Sequence, residues 1–140
     1  MSAIEWYREP RRVLLPVLIF APYPITDLTG MPARALVDTG SSVSGVAQRV
    51  AGRLNLAPLG KRPLSSAQGQ GQAERYAFRV GLWPDNASAD RPAFPFVFGE
   101  VIGIELTNAF EFEALLGMDI LAQCDFETRR DGRCRLSFGA

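Results

Sequence analysis

The 140-residue chain has no histidine and only two cysteines, Cys124 and Cys134. Without histidine, Ser-His-Asp and Cys-His catalysis in their usual forms are excluded. Two thiols cannot fill a tetrahedral zinc shell by themselves, and they do not make a disulfide framework. Neither sign of charge is in excess: Lys+Arg and Asp+Glu both number 15. No basic surplus therefore points to nucleic acid or to an anionic membrane surface. The apolar run 13–21 is too short to span a bilayer. It follows Arg11 and Arg12, as the core of a signal peptide would, but Glu5 and Glu9 stand before it. We read it as a core strand of a cytoplasmic protein.

What is present is ordinary in bulk. Hydrophobic residues make up 47% and charged residues 21%, which suits one soluble domain with its own core. Ten prolines and thirteen glycines punctuate several apolar runs of strand length, which favours an all-β chain. Residues 1–12 read as a polar N-terminal arm carrying Trp6 and Tyr7, and 13–140 as a single domain. Strands are expected over 12–20 and 33–37, with Pro16 arguing for an edge or a bulge in the first. Val46, Val50, Ala51 and Leu54 have near-helical spacing and predict a short helix.

Tyr76, Phe78, Val80 and Leu82 then alternate as a strand does. With the segment before them they predict a long hairpin whose tip is Gln68-Gly69-Gln70-Gly71-Gln72. Residues 84–92 read as a loop containing the common Asn86-Ala87-Ser88 glycosylation pattern. Residues 94–106 read as a strand region interrupted by Gly99 and Gly103, and 107–113 as irregular chain. A buried strand at Leu115-Leu116, a short helix over 118–123 and a hairpin around Arg130-Asp131-Gly132 complete the chain. The hairpin could bring Cys124 near Cys134. Phe94, Phe96, Phe98, Phe110 and Phe112 read as core and as pocket wall.

One segment carries chemistry. Ala35-Leu36-Val37 runs straight into Asp38-Thr39-Gly40-Ser41-Ser42. A carboxylate at the mouth of a buried strand is costly unless something uses or satisfies it. Gly40 permits a sharp turn, and the Thr39 hydroxyl can lock the loop. Downstream, Leu115-Leu116-Gly117 leads into the predicted helix, where Asp119 suits the helix N-terminus and is not read as catalytic.

In order and distance, the two segments resemble the retroviral-type (retropepsin-like) aspartic proteases across about residues 13–138. The resemblance implies a closed, all-β acid-protease barrel with one or two short helices. It implies an aspartic endopeptidase in which two carboxylates share one proton and activate a water. The chain has a single Asp-Thr-Gly, so an active site needs Asp38 from each of two copies across a two-fold axis.

By the same resemblance, Thr39 bonds across the homodimer, and Gly40, Ser41 and Ser44 support the loop. Gly40 and Ser42 also meet an extended polypeptide substrate. Gln68, Gly69, Gln70 and Gly71 stand where the family carries its flap, which closes over bound peptide. Leu115, Leu116 and Gly117 pass behind the active loop. No metal or organic cofactor is expected. Ser42 departs from the Asp of viral members, and the tip is polar where viral flaps are aliphatic. A catalytically silent module of the same fold, binding peptides or mediating dimerisation, is the alternative.

Overall fold

The structure is a computed structural model that describes residues 2–66, 69–84, 95–108 and 110–139, with the side chain of Ser66 excepted. Ten strands and two short helices occupy these residues. In chain order they are β1 (Ser2–Tyr7), β2 (Leu14–Phe20), β3 (Met31–Val37), β4 (Gly45–Ala47), α1 (Gln48–Arg53) and β5 (Lys61–Ser66). Then follow β6 (Gly69–Leu82), β7 (Phe96–Leu106), β8 (Ala114–Leu116), α2 (Met118–Leu121), β9 (Asp125–Thr128) and β10 (Arg133–Phe138).

The main sheet runs β2-β3-β8-β4-β7-β6-β5, and β2 also pairs with β6. That extra pairing, Leu18–Phe20 against Arg79–Gly81, closes six strands into a ring and leaves β5 hanging from β6. Closure removes the open edges that a sheet would otherwise expose. Pro16 fits because β2 meets β6 only beyond it, so the missing N–H falls on an open side. Inside the ring, Leu15, Ile19, Ala35, Val46, Phe78, Val80 and Leu116 are buried. Each large aliphatic side chain there contributes about 2 kcal/mol of burial.

The remaining strands form a three-stranded sheet, β1-β10-β9. The segment read as an arm therefore begins with a strand laid along the C-terminal strand of the same chain, from Ser2↔Phe138 to Tyr7↔Arg133. Alternation explains it: Ile4 and Trp6 pack on the core while Glu5 and Tyr7 face solvent. Cys124 and Cys134 are not joined.

Three expectations change in detail. The helix predicted from Val46 to Leu54 starts only at Gln48, because Gly45–Ala47 pair with both β7 and β8. The helix predicted over 118–123 spans only Met118–Leu121. Strand β7 continues through both Gly99 and Gly103, with a register shift against β6 opposite Gly99 and Glu100, between Phe78↔Val101 and Val80↔Phe98. At Gly103 an added Cβ would lie 2.5 Å from the Ser44 carbonyl and 2.8 Å from the Phe78 ring. The glycine marks a close approach of neighbouring chain, and not a break. The 84–92 loop and its glycosylation pattern lie outside the described residues, apart from Pro84.

A buried cation sits away from the candidate site. Arg79 donates to the carbonyls of Ala21, Pro24, Ile25 and Asp27 at 2.9–3.3 Å. Its guanidinium also lies 5.0 Å from the centre of the Phe20 ring. Charge-assisted bonds of this kind are what make its burial tolerable.

Candidate active site

Strand β3 pairs in parallel with β8, Ala35↔Ala114 through Val37↔Leu116, and β8 pairs antiparallel with β4. Strand β8 thus lies between the two strands that the segment 38–44 connects. The segment must loop around the end of β8, and this places the Asp-Thr-Gly turn over Leu116-Gly117.

The loop is fastened residue by residue. The Asp38 N–H donates to the Leu116 carbonyl at 3.0 Å, and the Ser41 N–H returns to the Asp38 carbonyl at 3.2 Å. Asp38 Oδ1 accepts the Gly40 N–H at 2.9 Å, which sets the orientation of the carboxyl group. Its other oxygen, Oδ2, has no partner among the described residues. Ser41 Oγ donates to the Val43 carbonyl at 2.7 Å, and the Met118 N–H donates to the Ser41 carbonyl at 2.7 Å.

Ser44 is fully buried and works in both directions. Its Oγ accepts the Gly117 N–H at 3.0 Å and donates to Asp119 Oδ1 at 2.6 Å. Its N–H donates to Asp119 Oδ2 at 2.9 Å. Asp119 Oδ1 also takes the N–H of Ile120 at 2.9 Å. A carboxylate bound by several neutral donors holds them in one arrangement. Asp119 thereby ties α2 to the Asp-Thr-Gly loop. Sequence reading placed it correctly on the helix but missed this link, since nothing in spacing joins positions 44 and 119.

Gly117 is required by space. A Cβ there would stand 2.4 Å from the Val43 carbonyl oxygen and 2.9 Å from that of Ser41. The strand end behind the loop and the loop itself touch backbone to backbone.

The outer residues of the turn are open. Thr39, Gly40 and Ser42 are exposed, and the Thr39 hydroxyl has no partner among the described residues. Gly40, Ser41, Ser42 and Val43 form one wall of a cleft of about 330 Å³, whose other wall is Leu64 and Ser65 of β5 and Ile104 of β7. Asp38 stands at the root of this loop and not in the cleft wall itself.

The hairpin does reach the loop, but through residues that the sequence did not single out. Ser65 pairs with Gln70 and Leu64 with Gly71, so the β5 members of these pairs line the cleft. Gly69, Gln70 and Gly71 belong to strand β6, not to a loop at the tip. Both faces of this part of the hairpin are solvated, which erases the alternation a half-buried strand shows. Gln68 lies outside the described residues. At the base, Glu74 Oε1 accepts the Gly60 N–H at 2.7 Å, and the Arg75 guanidinium donates to the Leu59 and Gly60 carbonyls.

Of the aromatic residues expected as core and wall, Phe98 and Phe112 are buried and Phe110 is half-exposed, stacked on Phe112. Phe94 lies outside the described residues. Among the described residues no group of three or more His, Cys, Asp or Glu is placed to hold a metal ion.

No protein-family model matches the chain, and no curated protein does. Solved structures do match. A retropepsin-like aspartic protease from Rickettsia conorii aligns with a TM-score of 0.64 over 98% of this chain and 91% of its own, at 16% sequence identity. EIAV protease, complexed with the inhibitor HBY-793, aligns at a TM-score of 0.49 over 84% of this chain and 91% of its own, at 18% identity. The closed ring, the strand threaded behind the Asp-Thr-Gly loop and the Rickettsia match together give this chain a retropepsin-like fold.

Proposed function

We propose that the protein is an aspartic endopeptidase active as a homodimer, with Asp38 of each copy forming the catalytic dyad. The observation that carries this reading is the state of Asp38. Its carboxyl group is oriented through Oδ1 by the Gly40 amide, and its other oxygen meets no partner among the described residues. A carboxylate held in this way has a free face for a second carboxylate and a water.

Two such groups in contact cannot both ionise readily, so the pair holds one proton. The ionised carboxylate takes a proton from water as it attacks the scissile carbonyl. The protonated one donates to the carbonyl oxygen. The exposed Thr39 hydroxyl is free to bond across the two-fold axis. The extended substrate lies in the cleft between the 40–43 wall and β5, pairing by backbone hydrogen bonds.

A second reading has an observation of its own. Strand β1 is already satisfied by β10 of the same chain, so the terminal strands do not need a second copy to complete their sheet. A chain that stays monomeric holds half a dyad, and its cleft then serves only to bind peptides. Light scattering combined with peptide-library cleavage between pH 4 and 8 separates the two readings. A dimer that cleaves supports the enzyme; a monomer without cleavage supports the binding module.

A further inference from the structure

A second pocket, of about 380 Å³, adjoins the cleft. Val43 lines both. Strand β7 supplies a second link, since Ile104 lines the cleft and Ile102 lines the pocket. Glu100, Ile102 and Ile104 alternate with the buried Val101 and Gly103, so they share the outward face of the strand. Residues two apart on one face are separated by about 6.6 Å. An extended peptide repeats its side chains at that same interval. A peptide that seats one side chain against Ile104 brings the side chain two residues along to Ile102.

The pocket's chemistry is one-sided. Glu100 and Asp119 line it, and no lysine or arginine does among the described residues. The donors that Asp119 receives, from Ser44 and Ile120, are all neutral. Glu100 is exposed and has no cationic partner among the described residues. Val43 and Ile102 supply apolar surface beside these carboxylates. Apolar surface beside negative charge suits a side chain with a methylene stem and a cationic head.

We propose that this pocket is a subsite for a lysine or arginine side chain of the bound polypeptide, two residues from the one seated in the central cleft. The proposal rests on the peptide-binding reading above and adds a substrate preference to it.

The test uses fluorescent decapeptides that differ only by Lys, Ala or Glu at successive positions. Binding is measured by anisotropy on Asp38→Asn, and cleavage is measured separately on the unaltered protein. At one position the Lys peptide binds about five-fold tighter than the Ala peptide, and the Glu peptide binds weaker still. Glu100→Lys inverts the order, so that the Glu peptide binds tighter than the Lys peptide. Equal affinity for all three peptides, or a Lys preference that survives Glu100→Lys, overturns the subsite. A Lys preference in binding without cleavage of any peptide keeps the subsite and overturns the enzyme. Cleavage without a charge preference does the reverse. If no peptide binds and none is cleaved, both fall.

Discussion

The two walls of the cleft are built on opposite principles. The 38–44 loop is fixed by backbone contacts to β8, by the Ser44 hydroxyl and by the Asp119 carboxylate, with Ser44 wholly buried. The hairpin wall opposite is exposed along 61–65 and 69–72, and β5 pairs with β6 alone. Stability is not spread evenly through a fold, and segments with little buried contact open at small cost. If the proposed function holds, the carboxylate that does the chemistry sits on the densely bonded side and the substrate meets the sparsely bonded one. Substitutions on the loop side should cost stability. Substitutions on the hairpin side should alter substrate affinity and little else.

The sharpest break of that contrast is Gly117→Ala. Its methyl group meets the Val43 and Ser41 carbonyls, which are backbone and cannot rotate away. A loss of about 3 kcal/mol or more is expected in denaturant unfolding, through overpacking. Ser44→Ala should cost about 1–3 kcal/mol, because the buried Gly117 N–H and one Asp119 oxygen each lose a partner. Activity should fall with it as the loop loosens.

Where the hairpin joins the barrel, Tyr76 donates its hydroxyl to Glu105 at 2.6 Å, and Gln48 holds the other carboxylate oxygen. The hydrogen bond to Glu105, with burial adding to it, pushes the phenol up to about 12. Its folded value stands above the ordinary value near 10. The stabilisation is therefore complete below about pH 10 and is lost as pH rises through the folded value. Tyr76→Phe should cost about 1 kcal/mol at neutral pH and flatten the alkaline part of the stability curve.

The smallest stability effect belongs to Leu64→Ala on the exposed hairpin wall, within about 0.5 kcal/mol of the parent. Peptide-cleavage kinetics should show KM rising more than kcat falls. A Leu64→Ala loss as large as that of Ser44→Ala would erase the difference between the walls.

Much of this was legible in the residues. Apolar alternation and turn-forming residues pointed to a β fold, and Leu36-Val37 before Asp38 marked the strand that enters the Asp-Thr-Gly loop. Leu115-Leu116-Gly117 was recognisable as the strand behind it. Two kinds of feature were not legible. Strands solvated on both faces, such as Gly69–Gln72, carry no hydrophobic period, and their glycines look like a loop. Contacts between distant positions, such as Ser44 with Asp119 or β1 with β10, follow from how the elements pack in three dimensions. No local spacing records them. The cleft residues Leu64, Ser65 and Ile104 belong to this second kind, since neighbours across a sheet define them.

The central claim is that each active site takes one Asp38 from each of two chains, and subunit mixing tests it most directly. Unaltered protein and Asp38→Asn are combined in equal amounts, allowed to exchange, and assayed for peptide cleavage per total protein. If both carboxylates are needed, only dimers with two intact copies work, and activity falls to about one quarter of that of the unaltered protein. Activity of about one half, with exchange verified, would mean that each chain acts by itself and would contradict the shared dyad.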